Sequence, residues 1–292
     1  MADSPPAELR LHEHEVRALL RAQAPHLADL SLTPIAEEWD NVTWRLGDDL
    51  AVRMPRRAAA AHLIHHEQFA LPLLAPALAD AGIRTPVPLV HGRAGATFPW
   101  PWSIVPWLPG TPALARTRAE NAGWAEKLAR ALHALHRPAP SDAPSNPVRG
   151  VALGRRDEGI RERLRRHPEH PVLTEAWEAG LRAPLNAEPV WIHGDLHPGN
   201  MLVDGTDLTA IIDFGDVTAG DPAYDLATGW MLFEPEGRER FRRAAGDRYD
   251  DGDWTRARAW AAALAVILIG ASDDRPALRR LGLETAAQLA DG

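Results

Sequence analysis

The chain has 292 residues, of which 45% are apolar and 25% charged, and its formal net charge is −8. These values are typical of a globular protein of one large domain or two lobes, and the acidic balance disfavours a nucleic-acid partner. The chain has no cysteine, which excludes disulfides, thiolate metal sites and a cysteine nucleophile. Because no apolar run is long enough to span a bilayer and the first residues lack a secretory pattern, we expect a cytoplasmic protein without a membrane partner.

The predicted elements of the N-terminal part form a small α+β unit. Helical spacing of apolar residues predicts a helix over residues 7–24, and the runs TWRL and LAVRM on either side of GDD predict a hairpin. A long helix through HLIHHEQFALPLLAPALAD follows, strained at its two prolines, and PVPLVHG and WSIVPWL predict two strands. The Pro/Gly break LPGTP then marks a junction, so we predict a nucleotide-binding lobe over residues 1–108 and a catalytic and substrate-binding lobe over residues 109–292.

The second lobe is predicted to be mostly helical. AENAGWAEKLARALHALH has the pattern of one amphipathic helix, whereas residues 137–150 form a proline-rich loop without periodicity. A charged segment at 155–166 and a short helix at 172–181 precede two short strands, VWI and MLV, and three or four helices complete the chain.

The stretch HGDLHPGN, between the strands VWI and MLV, concentrates polar chemistry. It places Asp195 five residues before Asn200, and IIDFGD places Asp213 eighteen residues after Asp195. In phosphoryl transfer such an Asp orients the attacking hydroxyl and accepts its proton, while the Asn and the second Asp hold Mg²⁺ against the nucleotide phosphates. The alternative is that Asp195 and Asn200 only cap turns. That alternative accounts for either motif alone but not for both in this order.

Three further residues are expected to support this loop. His193 and His197 flank Asp195 and are predicted to hydrogen-bond the loop backbone rather than act as acid or base. In GDPAYDLA, Asp221 has the position of a helix N-cap, and Asp225, one turn inside, is predicted to bond the same backbone.

The N-terminal part offers residues for gripping a nucleotide. Arg53 lies on the second hairpin strand, and Glu67 follows fourteen residues later on the next helix, as in the ion pair of a kinase-type site. An ordinary surface ion pair is the alternative. The preceding hairpin, residues 37–45, lacks the G-x-G-x-x-G of protein kinases, so backbone N–H groups with Asn41 and Thr43 would have to cover the phosphates.

The linker IVPWLPG is predicted to bind adenine. The carbonyl of Pro106 and the N–H of Leu108 provide the acceptor and donor that adenine needs. Trp107 is interpreted as a core or lobe-interface aromatic, with stacking on the base as the alternative. HLIHHE has the spacing of a metal site on a helix, but Glu67 already has the nucleotide role.

The spacing after Asp213 indicates the class of substrate. Only five residues separate Gly215 from Asp221, and no A-P-E motif follows, so the chain lacks a platform for a peptide substrate. We predict a small hydroxyl-bearing molecule, with residues 138–188 forming a wall of its pocket. The acidic stretches FEPEGRER and GDRYDDGDW would favour a cationic acceptor.

The segments VWIHGDLHPGNMLVD, IIDFGDVTAGDPAYDLA and WSIVPWLPG resemble the aminoglycoside phosphotransferase family, whose wider relatives include macrolide and choline kinases. The resemblance implies a bilobal protein-kinase-like fold and ATP- or GTP-dependent phosphorylation of a hydroxyl. It matches Asp195 to the family's catalytic Asp, and Asn200 and Asp213 to its metal ligands. Arg53 stands where lysine is commoner in the family.

The leading hypothesis is a Mg²⁺-dependent O-phosphotransferase whose best single acceptor is an aminoglycoside-like antibiotic. Antibiotic resistance and metabolism both stay open as its role. One alternative is a metabolic kinase for a sugar, an amino alcohol or a macrolide. Another is a nucleotide-binding pseudokinase, suggested by Arg53 and the missing glycine loop, against which the intact Asp195, Asn200 and Asp213 argue. The sequence leaves ATP versus GTP preference and the oligomeric state open.

Overall fold

The computed structural model describes residues 6–37, 39–95, 97–185 and 188–291. A five-stranded antiparallel sheet with two helices forms the N-terminal part, and a mostly helical part with two small sheets follows. This architecture confirms the predicted α+β, protein-kinase-like fold.

The helices and strands are numbered in chain order. The helices are α1 (Glu13–Gln23), α2 (Ala61–Asp80), α3 (Arg118–Asn121), α4 (Ala125–Leu135), α5 (Asp157–Arg166), α6 (Pro171–Arg182), α7 (Ala223–Leu226), α8 (Thr228–Leu232), α9 (Pro235–Ala245), α10 (Asp251–Gly270) and α11 (Pro276–Ala290). The strands are β1 (Leu32–Glu37), β2 (Asn41–Leu46), β3 (Leu50–Pro55), β4 (Val90–Gly92), β5 (Trp102–Pro106), β6 (Thr111–Pro112), β7 (Val190–Ile192), β8 (Met201–Asp204), β9 (Asp207–Ile211) and β10 (Thr218–Gly220).

The N-terminal sheet has the strand order β1-β2-β3-β5-β4. The predicted hairpin is β2–β3, and its turn contains Gly47 at φ 60°, a conformation that glycine adopts without strain. Strand β1 was not predicted, because its Pro34 argues against a strand. Pro34 is tolerated because β1 is an edge strand, and the register shifts between Pro34 and Ala36.

Helix α1 is shorter than predicted. It begins at Glu13 rather than residue 7, where His12 and Glu15 form a capping box. Leu9 is therefore outside the helix and exposed. The buried face of α1 packs on the sheet in a core that includes the side chains Val16, Leu19, Leu20, Trp44, Leu46, Val52, Met54, Trp102 and Ile104.

Helix α2 contacts both parts of the chain. Its first half carries the buried Glu67 towards the sheet, and its second half packs Leu71, Leu74 and Leu78 into the core of the helical part. Pro72 and Pro76 lie inside the helix on its exposed side. Since both parts share α2, the boundary predicted at residue 108 stays a prediction.

The helical part is organised around α10, which packs against α6 and α11 and contains the predicted buried segment 260–270. The single helix predicted from AENAGWAEKLARALHALH is divided by a 3₁₀ turn into α3 and α4. In the described chain, five helices follow the motif IIDFGD, not the predicted three or four. The segment after Asp221 folds as the two short helices α7 and α8. Within the described ranges, no helix has the length and hydropathy needed to cross a membrane.

The strands that flank HGDLHPGN belong to different sheets. Strand β7 pairs with β10, whereas β8 pairs with β9 and β6. The two strands therefore do not pair with each other. The loop between them is anchored at one end by the sheet of β7 and at the other end by the sheet of β8.

Candidate active site

The loop at residues 193–200 is shaped by backbone contacts from two sides. Asp225 accepts hydrogen bonds from the N–H groups of His193 (2.6 Å) and Gly194 (3.1 Å), which is the contact predicted for it. His193 Nε2 lies 3.0 Å from the carbonyl of Ile212, and its Nδ1 accepts from the N–H of Asp195 at 3.2 Å. Gly194 has φ +81°, and a Cβ there would lie 2.3 Å from the Asp216 carbonyl oxygen. This position therefore requires glycine.

Asp195 and Asn200 are in contact across this loop. The Asn200 amide donates to the backbone carbonyl of Asp195 at 2.9 Å and lies 3.4 Å from its Oδ2. His197 Nδ1 accepts from the N–H of Gly199 at 3.0 Å, and its Nε2 lies 3.7 Å from Asp195 Oδ2. Because the Asn200 NH₂ is used within the loop, its Oδ1 is the atom suited to a cation.

Arg53 connects the sheet, α2 and the end of β9. Its guanidinium lies 2.9 Å from Glu67 and 2.5 Å from Asp213, and the Arg53 and Glu67 side chains are only 8% and 1% exposed. Burial alone would raise the pKa of Asp213, but the Arg53 guanidinium outweighs it and holds that pKa below its ordinary value. The predicted Arg53–Glu67 pair is thus buried rather than on the surface, and the partly exposed Asp213 joins it.

Asp213 also has an unusual backbone conformation. Its φ is 63°, and it is the one non-glycine position with positive φ in the described part of the chain. Asp tolerates this left-handed region better than most residues. The conformation turns the chain sharply between β9 and Phe214, and it leaves the Asp213 carboxylate facing Arg53.

A second ionic cluster was not predicted. Arg149, from the proline-rich loop, donates to Tyr224 (2.8 Å) and to Asp216 Oδ2 (3.3 Å), and its Nη2 lies 3.3 Å from Asp195 Oδ1. Burial, together with the nearby carboxylates of Asp195 and Asp213, raises the pKa of Asp216 against the lowering effect of Arg149. Asp216 was visible in the IIDFGD motif, but nothing in the sequence around Arg149 pointed to the site.

A cleft of about 520 Å³ lies between the sheet and the loop, which we call the hinge-side cleft. Its lining includes the predicted residues Thr43, Arg53, Pro106, Leu108, Asn200 and Asp213. Trp107 also lines this cleft. Its backbone N–H donates to the Asp49 carbonyl at 2.7 Å, and the Arg45 guanidinium lies 4.2 Å from the centroid of its ring. Trp107 was predicted to be a core or lobe-interface aromatic, and it lines the cleft between the sheet and the loop.

A second cavity of about 310 Å³ lies on the other side of Asp195, which we call the acceptor-side cavity. Asn41 lines this cavity, and its buried Oδ1 has no hydrogen-bond partner among the described atoms. The hairpin predicted to cover the phosphates, residues 37–45, includes residue 38, which lies outside the described residues. Six residues line both spaces: Trp39, Asp195, His197, Asp213, Arg275 and Leu278.

Two segments expected on the acceptor side contribute little or nothing to this cavity. Of residues 138–188, apart from 186 and 187, Arg149 alone lines the acceptor-side cavity, because α5 and α6 pack on α10 instead. The acidic stretches FEPEGRER and GDRYDDGDW do not line it within the described chain. They lie instead on α9 and at the start of α10, where Asp250 and Asp253 form a capping box.

The segment HLIHHE does not form a metal site. Glu67 is paired with Arg53, and the rings of His62 and His66 contact each other edge-on with centroids 5.1 Å apart. Across the described ranges, no three His, Asp or Glu side chains are grouped as metal ligands. Asn200 and Asp213 offer two oxygen ligands, which suits Mg²⁺ because that ion usually takes one or two protein ligands together with phosphates and water.

Comparison with solved structures identifies the fold. The fold is similar to that of the GDP and kanamycin complex of APH(2")-IIia, with a TM-score of 0.72 and 19% identity over 96% of this chain and 99% of that one. It is also similar to that of a macrolide 2'-phosphotransferase from Brachybacterium faecium, with a TM-score of 0.60 and 25% identity over 94% and 98% of the two chains. The fold is therefore that of the protein-kinase-like phosphotransferases.

Sequence comparison then identifies the family. The model of the phosphotransferase enzyme family (APH) matches residues 31–260, and the chain belongs to this family. A viomycin phosphotransferase from Streptomyces vinaceus is 32% identical over 178 residues, which are 51% of this chain and 56% of that relative. The chain thus spans little more than half the length of this curated relative. The predicted family resemblance is confirmed.

Proposed function

We propose that the chain transfers the γ-phosphate of ATP or GTP to a hydroxyl group of a small molecule. The observation that carries this proposal is the position of Asp195 in the wall shared by the hinge-side cleft and the acceptor-side cavity. A nucleotide in the first space and an acceptor in the second would meet at this carboxylate. Proximity of two reactants at one positioned group is the main requirement of phosphoryl transfer.

Each side chain then has a role. Asp195 orients the acceptor hydroxyl and accepts its proton as the new phosphate ester forms. Arg53, held by Glu67, contacts the phosphates with its planar fork. The carbonyl of Pro106 and the N–H of Leu108 bind the base. Thr43 and the backbone of the hairpin that contains it cover the phosphates. Mg²⁺ bound by Asn200 and Asp213 would neutralise phosphate charge.

Three residues keep the loop in place in this proposal. Asp225 fixes the backbone at His193 and Gly194, as its two hydrogen bonds indicate. His193 ties the loop to the Ile212 carbonyl, and His197 caps the turn that ends at Asn200. The histidines therefore act on the geometry of the loop rather than on the proton of the acceptor.

The relatives support the class of acceptor. They include a viomycin phosphotransferase, a macrolide 2'-phosphotransferase and APH(2")-IIia with GDP and kanamycin. We infer an antibiotic-like acceptor with a hydroxyl group and a role in resistance; a sugar or an amino alcohol is the metabolic alternative. The lobes at 1–108 and 109–292 and a cytoplasmic location belong to the same proposal.

Nucleotide binding tests the proposal first. We expect ATP or GTP to raise the melting temperature of the protein in the presence of Mg²⁺, and less so without it. Asp213→Asn should lose most of the Mg²⁺-dependent rise in melting temperature, whereas Asp195→Ala should keep that rise. A protein whose melting temperature responds to neither nucleotide would overturn the proposal.

A further inference from the structure

The carboxylates of the acceptor-side cavity are already neutralised from within the protein. Four carboxylates line the cavity: Asp40, Asp195, Asp213 and Asp216. Each of them has an arginine within 4 Å. The cavity is therefore much less negative than its aspartates suggest, and a polycationic acceptor would have to compete with these guanidinium groups for every carboxylate.

Arg149 is the one of these arginines that neutralises two carboxylates at once. Its Nη2 lies 3.3 Å from both Asp195 and Asp216, and its Nη1 donates to the Tyr224 hydroxyl at 2.8 Å. The other two arginines approach from the sheet side: Arg53 lies on β3, and Arg57 follows it. Arg149 therefore controls the charge where the cavity meets the reacting carboxylate.

The loop that carries Arg149 is held firmly against the site. The Pro144 carbonyl accepts from the N–H of Ala219 and the hydroxyl of Thr218, and Asn146 donates to Asp216 at 2.7 Å. Gly150 has φ +59°, and a Cβ there would lie 2.2 Å from Ile192. These contacts fix the backbone on both sides of Arg149, so its guanidinium is a built part of the cavity.

Another part of the cavity lining is largely apolar, with Ser272 and Arg275 beside it. It is formed by the ends of α10 and α11 and by a residue of α8: Leu264, Ile267, Leu268, Leu278 and Met231. Such a wall gains free energy from burying an apolar face of a ligand, and it offers ammonium groups no partner.

We propose that Arg149 is a specificity-determining residue, which makes this cavity select an acceptor with a broad apolar face and at most one positive charge, and reject polycations. This proposal rests on the assignment of the cavity to the acceptor under the proposed function. It narrows the expected aminoglycoside-like acceptor towards less cationic molecules. The acceptor hydroxyl would still reach Asp195, because Arg149 occupies Oδ1 and leaves Oδ2 on the side of Asn200 and His197.

Calorimetric titration of two probes tests this without any phosphate transfer. Kanamycin carries several ammonium groups, whereas erythromycin carries one amine on a large lactone. The wild-type protein should bind erythromycin at least about tenfold more tightly than kanamycin, which is about 1.4 kcal/mol. Arg149→Gln leaves two carboxylates without their cation, so it should bind kanamycin at least about tenfold more tightly than the wild type does.

Two variants separate charge from shape. Arg149→Lys keeps the positive charge and should leave kanamycin affinity near that of the wild type. The double variant Arg149→Gln/Asp216→Asn leaves one unpaired carboxylate instead of two, so its gain should be smaller than that of Arg149→Gln. It also tests the proposal if the single variant does not fold. The gain should shrink when the salt concentration rises from about 0.05 M to about 0.5 M, because salt screens exposed charges.

Three results would overturn the proposal: tighter binding of kanamycin than of erythromycin by the wild type, no gain in kanamycin affinity in either glutamine variant, or an equal gain in Arg149→Lys. Since only binding of the two probes is measured, a failure here is distinct from a failure of nucleotide binding, which would overturn the proposed function instead.

Discussion

Replacing Arg53 by methionine should destabilise the protein strongly. At 2.9 Å from Glu67 and an effective dielectric constant of about 20, the attraction is about 6 kcal/mol before desolvation is subtracted. Loss of the cation removes the guanidinium from the buried Glu67 and from Asp213, and breaking such a buried pair costs about 3–5 kcal/mol. We therefore expect urea unfolding at pH 7.5 to give a free energy of unfolding lower by that amount.

The chain offers a matched control for this variant. Lys127 and Asp207 form an ion pair of similar length, 2.7 Å, but their side chains are 17% and 57% exposed. Lys127→Met should cost at most about 1 kcal/mol, because exposed pairs contribute little. The double variant Arg53→Met/Glu67→Gln should be less destabilised than Arg53→Met alone. A loss of less than about 1 kcal/mol for Arg53→Met would refute the reasoning that Arg53 and Glu67 form a buried, mutually dependent ion pair.

Three further variants probe the backbone and the pH dependence of the fold. Gly194→Ala should cost at least about 2 kcal/mol in urea unfolding, since it combines a left-handed φ with a Cβ 2.3 Å from the Asp216 carbonyl oxygen. Gly205→Ala, at φ +58° with open space around its Cβ, should cost only about 1 kcal/mol, and equal costs would contradict the steric argument. Burial and neighbouring histidines lower the pKa of His66, so the unfolded state binds the proton more readily and stability should fall as pH falls below about 6.5. His66→Phe should flatten this part of the pH profile, and an unchanged slope between about pH 7 and pH 5 would show that His66 does not contribute.

Within the candidate site, the sequence was most informative in the motifs with fixed spacing. Asp195, Asn200 and Asp213 are placed by short strands and tight turns, so their spacing along the chain largely determines their arrangement. The contact between Asp225 and the loop was predicted from the motif GDPAYDLA, although Asp225 lies 32 residues after His193.

Features that depend on packing between distant segments were not predicted. Arg149 reaches the site because its loop bonds to β10 through the Pro144 carbonyl and the Thr218 hydroxyl. Arg149 and Asp216 are 67 residues apart in sequence, and no periodicity indicates their contact. The acceptor-side wall likewise comes from the ends of α10 and α11 rather than from residues 138–188, because α6 packs on α10. Strand β1 was missed since Pro34 is compatible only with an edge strand, and edge position is a property of the assembled sheet.

Phosphate transfer itself tests the central claim most directly. The protein is incubated with Mg²⁺, ATP or GTP, and a panel of aminoglycosides, macrolides, amino sugars and amino alcohols, and the products are identified by mass. The wild type should add one phosphate to at least one member of the panel. Asp195→Asn should bind nucleotide normally and transfer about 10²–10⁴-fold more slowly, since it has lost the group that orients the hydroxyl and accepts its proton. Transfer by Asp195→Asn at the wild-type rate would contradict the account.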